Sequence, residues 1–241
     1  MSADVTKVVT DVARVAIVTG AASGIGAAVA AELTDRGLLV AGFDLAPAPA
    51  CQWAVQVDVT DAAAMRVAVA AAEAELGPVT AAVSVAGYYE MLAITDITNQ
   101  AWSRMLAVHL GGLVNLTRAV LPGMLGRRDG SIVAVTSELA IGGGSEDAHY
   151  AAAKGAIIGV VRSLAAEVAA VGVRVNAVAP GPTDTPLLTP DSPWRAPDYL
   201  ATLPLRRLGS AEEVALCVAY LVDEGKFCIG EILNPNAGAV I

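Results

Sequence analysis

The run Tyr150-Ala151-Ala152-Ala153-Lys154 places a phenol and an ammonium four residues apart. At that spacing both groups project from one face of a helix. A neighbouring cation stabilises phenolate and draws the phenol down from its reference pKa of about 10 toward neutrality. Tyr150 is therefore a candidate general acid or base. Thirteen residues upstream, Ser137 ends a Val-rich run. A hydroxyl there is placed to hydrogen-bond a substrate oxygen as charge develops on it. Alone, a Tyr and a Lys at this spacing are common; with Ser137 they read as a proton-transfer set for an alcohol or carbonyl.

A second constellation lies near the start of the chain. Residues 14–19 form an apolar run that leads directly into Thr19-Gly20-Ala21-Ala22-Ser23-Gly24-Ile25-Gly26, and a helix-compatible stretch follows. Such a turn needs glycine where the backbone takes positive φ or approaches a pyrophosphate closely. The helix start offers free N–H groups and a positive dipole end to phosphates. Gly20, Ser23, Gly24, Ile25 and Gly26 are thus candidate dinucleotide contacts. Asp44 ends the second apolar run. A carboxylate there accepts hydrogen bonds from the adenosine ribose hydroxyls and repels a 2′-phosphate. No Arg or Lys lies in the glycine turn or just after Asp44. The expected cofactor is NAD, not NADP.

These residues need a scaffold, and the chain supplies one. Short Val-rich runs at 14–19, 38–43, 54–57, 80–85, 131–136, 174–178 and 231–234 alternate with Ala-rich stretches at 24–36, 61–75, 99–125, 150–171 and 211–222. Several of the former are continuous apolar runs, as in parallel strands buried on both faces. The pattern predicts an α/β, Rossmann-type doubly wound parallel sheet in a single domain over 14–241. Residues 1–13 are expected to form a loose or surface-bound arm without signal-peptide character. The Pro-rich stretch 179–205 reads as a long functional loop and not as a domain boundary.

Composition narrows the classes. Hydrophobic residues make up 55% of 241 and charged residues 16%, which excludes general disorder. The longest uncharged run, 15–31, is broken by glycines, so no membrane span is expected. A formal net charge of -9 argues against a nucleic-acid partner. Cys51, Cys217 and Cys228 are scattered, which suggests reduced thiols and a cytoplasmic location. His109 and His149 are the only histidines. No metal-ligand spacing is present, and no metal is expected.

In combination these motifs closely resemble the classical short-chain dehydrogenase/reductase family, over roughly residues 14–238. Beyond TGAASGIG, Ser137 and YAAAK, the resemblance rests on Asp58-Val59-Thr60, Ser84-Val85-Ala86-Gly87, and Asn176 with Pro180-Gly181. It implies that Tyr150 exchanges the proton, that Lys154 binds the nicotinamide ribose, and that Ser137 positions the substrate oxygen. It implies that Asp58 and Val59 meet the adenine, that Ala86 and Gly87 face the cofactor, and that Pro180, Gly181, Thr183 and Thr185 surround the nicotinamide. A homotetramer built through the helices at 99–125 and 150–171 is implied too. Ala151, Gly155, Ala156 and Gly159 would permit close helix approach.

Four departures stand out. Ser84-Val85 replaces the family's Asn-Asn. The segment between Asp44 and Asp58 is shorter than usual and holds Pro47 and Pro49, so a full helix barely fits, which leaves the adenine side more open. Pro235 falls in an edge-strand motif. His109 stands where the family has its active-site Asn, whose main-chain carbonyl holds a water leading protons to the Lys. The expectation is a buried, neutral His109 beside Lys154, serving that relay. Its replacement is also the one feature favouring an inactive NAD-binding scaffold or sensor. An epimerase or dehydratase would need a further substrate domain. The substrate pocket is expected from Tyr88, Tyr89, Met91, Leu139, His149, Leu187, Leu188, Trp194 and Tyr199, with His149 a loop or rim residue. So apolar a set points to an uncharged, hydrophobic or cyclic secondary alcohol or ketone.

Overall fold

The computed structural model describes residues 13–240; the arm expected over 1–13 lies, except for its last residue, outside them. In chain order the elements are β1 (Val15–Thr19), α1 (Gly24–Asp35), β2 (Leu39–Asp44), β3 (Trp53–Gln56), α2 (Ala62–Leu76), β4 (Val79–Ser84), α3 (Asn99–Leu106), a π-helical turn (Ala107–Gly111), α4 (Gly112–Arg127), β5 (Gly130–Val135), α5 (Leu139–Gly142), α6 (Ala148–Val168), β6 (Val173–Val178), β7 (Thr183–Asp184), α7 (Pro197–Thr202), β8 (Gly209–Ser210), α8 (Ala211–Asp223) and β9 (Ile232–Leu233). Seven strands form one parallel sheet in the order β3-β2-β1-β4-β5-β6-β9. Every expected strand is present within one or two residues of its sequence boundaries.

The apolar runs are strands because both faces of the sheet are covered. Val15, Ile17 and Ile132 face one core with α2, α4 and α6, whereas Ala16, Val18 and Val133 face the other with α1 and α8. Local signals set the helix starts. Asp61 caps α2 by accepting from the N–H groups of Ala63 and Ala64, and Ser210 with Glu213 forms a capping box on α8.

Two helices differ from the sequence reading. The α6 helix begins two residues before Tyr150, and its tail, Ala169–Val171, tightens to a 3-10 turn. The single helix expected over 99–125 runs to Arg127 and is interrupted by the π turn. Asn99–Arg127 is, by length and composition, long and apolar enough to cross a membrane, although no span was expected. In the fold, α4 packs on α2, β4 and β5, and its buried Leu113, Leu116, Val120 and Met124 belong to the core. As expected, no helix fits between β2 and β3; their connection leaves Leu45 71% exposed.

The strand order reverses between β1 and β4: the chain leaves β1 for β2 through α1 on one face of the sheet, and β4 for β5 through α4 on the other. In doubly wound sheets that switch point opens a crevice at the carboxyl ends of the strands. The excursion after β6 contributes β7, the Pro193–Arg195 turn and α7 to one side of this crevice.

Candidate active site

A cleft of about 710 Å³ opens at that switch point, within the size range of small-molecule and cofactor sites. All eighteen residues that the sequence singled out as catalytic or cofactor-binding line it: Gly20, Ser23, Gly24, Ile25, Gly26 and Asp44 at one end, Asp58, Val59, Ala86 and Gly87 along the floor, Ser137, Tyr150, Lys154 and His109 at the other end, with Pro180, Gly181, Thr183 and Thr185 opposite.

The glycine turn fits a dinucleotide for reasons visible in its own packing. A Cβ on Gly26 would lie 1.9 Å from the Gly20 carbonyl oxygen, so only glycine lets the helix start so close to the strand. Ser23 caps α1 without a side-chain hydrogen bond, which leaves the first N–H groups of the helix for an anion. Asp44 braces the turn: one carboxylate oxygen accepts from the Ala22 N–H and the other from the Ala46 N–H, each at 3.0 Å. Asp58 accepts from both the backbone N–H and the hydroxyl of Thr60. The Thr19 hydroxyl accepts from the N–H groups of Val85 and Ala86, tying the end of β4 to β1.

At the other end, α6 and β5 set the proton-transfer groups. The Thr136 hydroxyl donates to the Lys154 carbonyl at 2.7 Å, and the Lys154 ammonium donates to the Val135 carbonyl at 2.8 Å. The ammonium lies 5.6 Å from the centre of the Tyr150 ring. Burial lowers Lys154 to about 7, because a charge without water is disfavoured. The expectation of a phenol drawn down by Lys154 is not met in the protein alone. Burial, and then the Glu138 carboxyl, hold Tyr150 above its ordinary value, with Ser137 acting in the opposite sense. Desolvation outweighs the cation, whose own charge is weakened by the same burial.

His109 sits in the π turn, a feature often found at functional sites. Its Nε2 donates to the Tyr88 carbonyl at 2.9 Å, its ring stands edge-on to Tyr150 at 5.4 Å, and Nδ1 has no partner among the described residues. The ring packs so tightly on Gly87 that a Cβ there would fall 2.3 Å from it. Burial, then the charge of Lys154, lowers His109 to about 3, so the imidazole is neutral.

The pocket expectations divide. Tyr88, Tyr89, Leu139, Leu187, Leu188 and Trp194 line the cleft. Met91, His149 and Tyr199 do not. His149 is not a rim residue either: it is fully buried in the first turn of α6, against Trp102. The start of α6 at Ala148, two residues before Tyr150, makes His149 helical and turns it inward. Tyr199 instead meets Trp194 edge-to-face at 4.8 Å. Among the cleft residues that the sequence reading did not single out, two are charged, Arg104 and Glu138. Glu138 follows Ser137 directly, and a charged residue after an apolar strand was the available signal. Among the described residues no cluster of His, Cys, Asp and Glu could hold a metal ion.

The comparisons with known proteins agree with this geometry. Residues 20–239 match a family model described as Enoyl-(Acyl carrier protein) reductase. The chain is 34% identical to the 3-oxoacyl-[acyl-carrier-protein] reductase FabG of Escherichia coli (strain K12), covering 93% of this chain and 96% of the relative. It is 38% identical to the cis-4-hydroxycyclohexanecarboxylate dehydrogenase of Sinomonas cyclohexanicum, with the same coverage. The ligand-free Thermoplasma acidophilum aldohexose dehydrogenase superposes with a TM-score of 0.88 at 29% identity, over 94% of this chain and 93% of that one. With the switch-point cleft, the glycine turn and the Ser-Tyr-Lys set in place, the chain belongs to the classical short-chain dehydrogenase/reductase family.

Proposed function

We propose that the protein is an NAD-dependent oxidoreductase that moves a hydride between the nicotinamide and an uncharged, hydrophobic or cyclic secondary alcohol or ketone. The observation that carries this reading is the convergence of Ser137, Tyr150 and Lys154 on the same cleft as the glycine turn. When bound, the cofactor supplies the hydride acceptor or donor and, once oxidised, a positive charge that favours phenolate. Tyr150 passes the proton to or from the substrate oxygen, Lys154 holds the ribose and the phenol in register, and Ser137 fixes the reacting oxygen. The pocket residues Tyr88, Leu139, Leu187 and Trp194 exclude water and favour an uncharged body. A panel of secondary alcohols followed by NADH absorbance tests the reading; no turnover of any member would favour the inactive scaffold.

Asp44 supports NAD. It reaches the cleft at the adenosine end, and the cations lining the cleft are Arg104 and Lys154, both at the other end. Asp44→Ala is expected to raise kcat/KM for NADP relative to NAD by about tenfold or more, the effect of removing one charge repulsion of about 1–2 kcal/mol. A wild type that prefers NADP would sink the assignment.

A cytoplasmic homotetramer completes the proposal. Cys51, Cys217 and Cys228 are free thiols, as a reducing compartment implies. On α6, a Cβ added at Gly155 or Gly159 would meet nothing within 4 Å, so that stripe is open to a helix of a second copy. Light scattering at micromolar concentration should give a mass several times that of the chain; a monomeric mass would overturn the assembly.

A further inference from the structure

Glu138 is unusual for a carboxyl beside a proton-transfer site. It is only 7% exposed, yet it lines the cleft. Its Oε2 accepts from the Ser137 hydroxyl at 2.9 Å, and among the described residues it has no ion-pair partner. Its carboxyl raises the pKa of both Tyr150 and Tyr199, and it shares the cleft with Ser137 and Tyr150. Burial lifts it to about 7. A buried carboxyl without a cation costs stability, and its presence in a cleft marks a functional candidate.

The bonding capacity of Ser137 sharpens this. The hydroxyl has one donor and two acceptor positions. The donor goes to Glu138, and one acceptor position is taken by the Leu139 N–H at 3.2 Å. Ser137 and Glu138 therefore present neighbouring oxygens to the cleft, 2.9 Å apart. The two oxygens of a gauche vicinal diol lie about as far apart as hydrogen-bonded oxygens, roughly 2.8 Å. One takes the Ser137 proton, which turns to it from Glu138, and faces Tyr150, while the other donates to the Glu138 oxygen so released.

We propose that Glu138 is a specificity-determining residue that accepts a hydrogen bond from a second, neutral hydroxyl on the carbon next to the reacting one, giving a preference for vicinal diols and α-hydroxyketones. This rests on the oxidoreductase reading above. A substrate carboxylate in this place meets repulsion from Glu138. A substrate ammonium meets Lys154 and Arg104, which line the same cleft. A site built to accept from a hydroxyl discriminates strongly against the analogue lacking it, because the buried acceptor is then left unpaired.

The test compares kcat/KM for cis-1,2-cyclohexanediol and cyclohexanol with NAD in wild type, Glu138→Leu and Glu138→Gln. Wild type should favour the diol by about tenfold or more. Glu138→Leu should bring the ratio close to one, with the KM for NAD unchanged. Glu138→Gln, which keeps an acceptor oxygen, should retain part of the preference and guards against a Leu variant that fails to fold. Equal use of both alcohols by wild type, or an undiminished ratio in both variants, would overturn the proposal. If wild type oxidises neither alcohol, the wider alcohol panel decides the oxidoreductase reading separately. The specificity proposal is then decided by thermal protection of the NADH-loaded protein: the diol should raise Tm more than cyclohexanol, and equal shifts would reject it.

Discussion

Tyr150→Phe is expected to lower kcat by about 10²–10⁴-fold, the range lost with a general acid or base, while NADH binds with little change in Kd. The substitution removes one oxygen and keeps the ring. That ring is held by edge-to-face contacts with Tyr89 at 5.0 Å and His109 at 5.4 Å, so the wall of the cleft survives. Loss of kcat with cofactor affinity retained is the signature of a group that acts in the chemical step. Because burial and Glu138 hold the phenol above its ordinary value, alcohol oxidation in wild type should quicken as pH rises, since it needs phenolate. Substantial residual activity in the Phe variant would move the proton role to another buried titratable group of the cleft, Glu138 or His109. His149, next to Tyr150 in sequence, takes no such part, because it is buried in the first turn of α6 against Trp102 and does not line the cleft.

The second large effect concerns His109. We expect His109→Ala to lower kcat by about 10–10²-fold, the scale of one buried hydrogen bond of about 1–3 kcal/mol, and to change NADH affinity far less. His109→Asn should restore much of it, because an amide can also donate to the Tyr88 carbonyl. A role in packing alone predicts an Ala variant with wild-type kcat across the pH range. The same residue has a stability signature. With its pKa at about 3 in the fold against 6.5 ordinarily, the native state binds fewer protons than the unfolded chain between those values. Stability therefore falls as pH drops through that window, by up to about 1.4 kcal/mol per unit. Glu138, raised from 4.5 to about 7, has the opposite slope: the folded form keeps its proton longer, and stability falls as pH rises. Over about pH 4.5–6.5 the two offset each other. Denaturant unfolding of wild type and His109→Asn at successive pH values should thus show the variant gaining relative stability toward acid. A flat difference would mean that His109 is not buried neutral.

The sheet was legible in the sequence because parallel strands covered on both faces leave continuous apolar runs such as Ala16–Val18 and Ile132–Val135. The glycine turn was legible because close backbone approach admits one residue type, as at Gly26. What escaped was set by long-range packing. The π turn at Ala107–Gly111 breaks no local pattern, since Ala, Val, Leu and Gly continue the helical stretch on both sides. His149 carries no mark distinguishing core from rim; only the two residues of α6 before Tyr150 decide it. The lowered phenol expected from Lys154 failed because spacing reports neighbours and not the water that burial removes. Glu138 was readable as a residue type but not as a partner of Ser137, because the chain turns into α5 just after the strand.

The two rims of the sheet have a bearing on solubility. The outer strands are β3, of four residues, and β9, of two, and Pro235 follows β9 without an N–H to offer. An open strand edge is a template on which another chain can add and grow without limit. Neither rim is long enough to serve as one. Strand-by-strand growth into fibres or precipitates is thereby disfavoured at both rims.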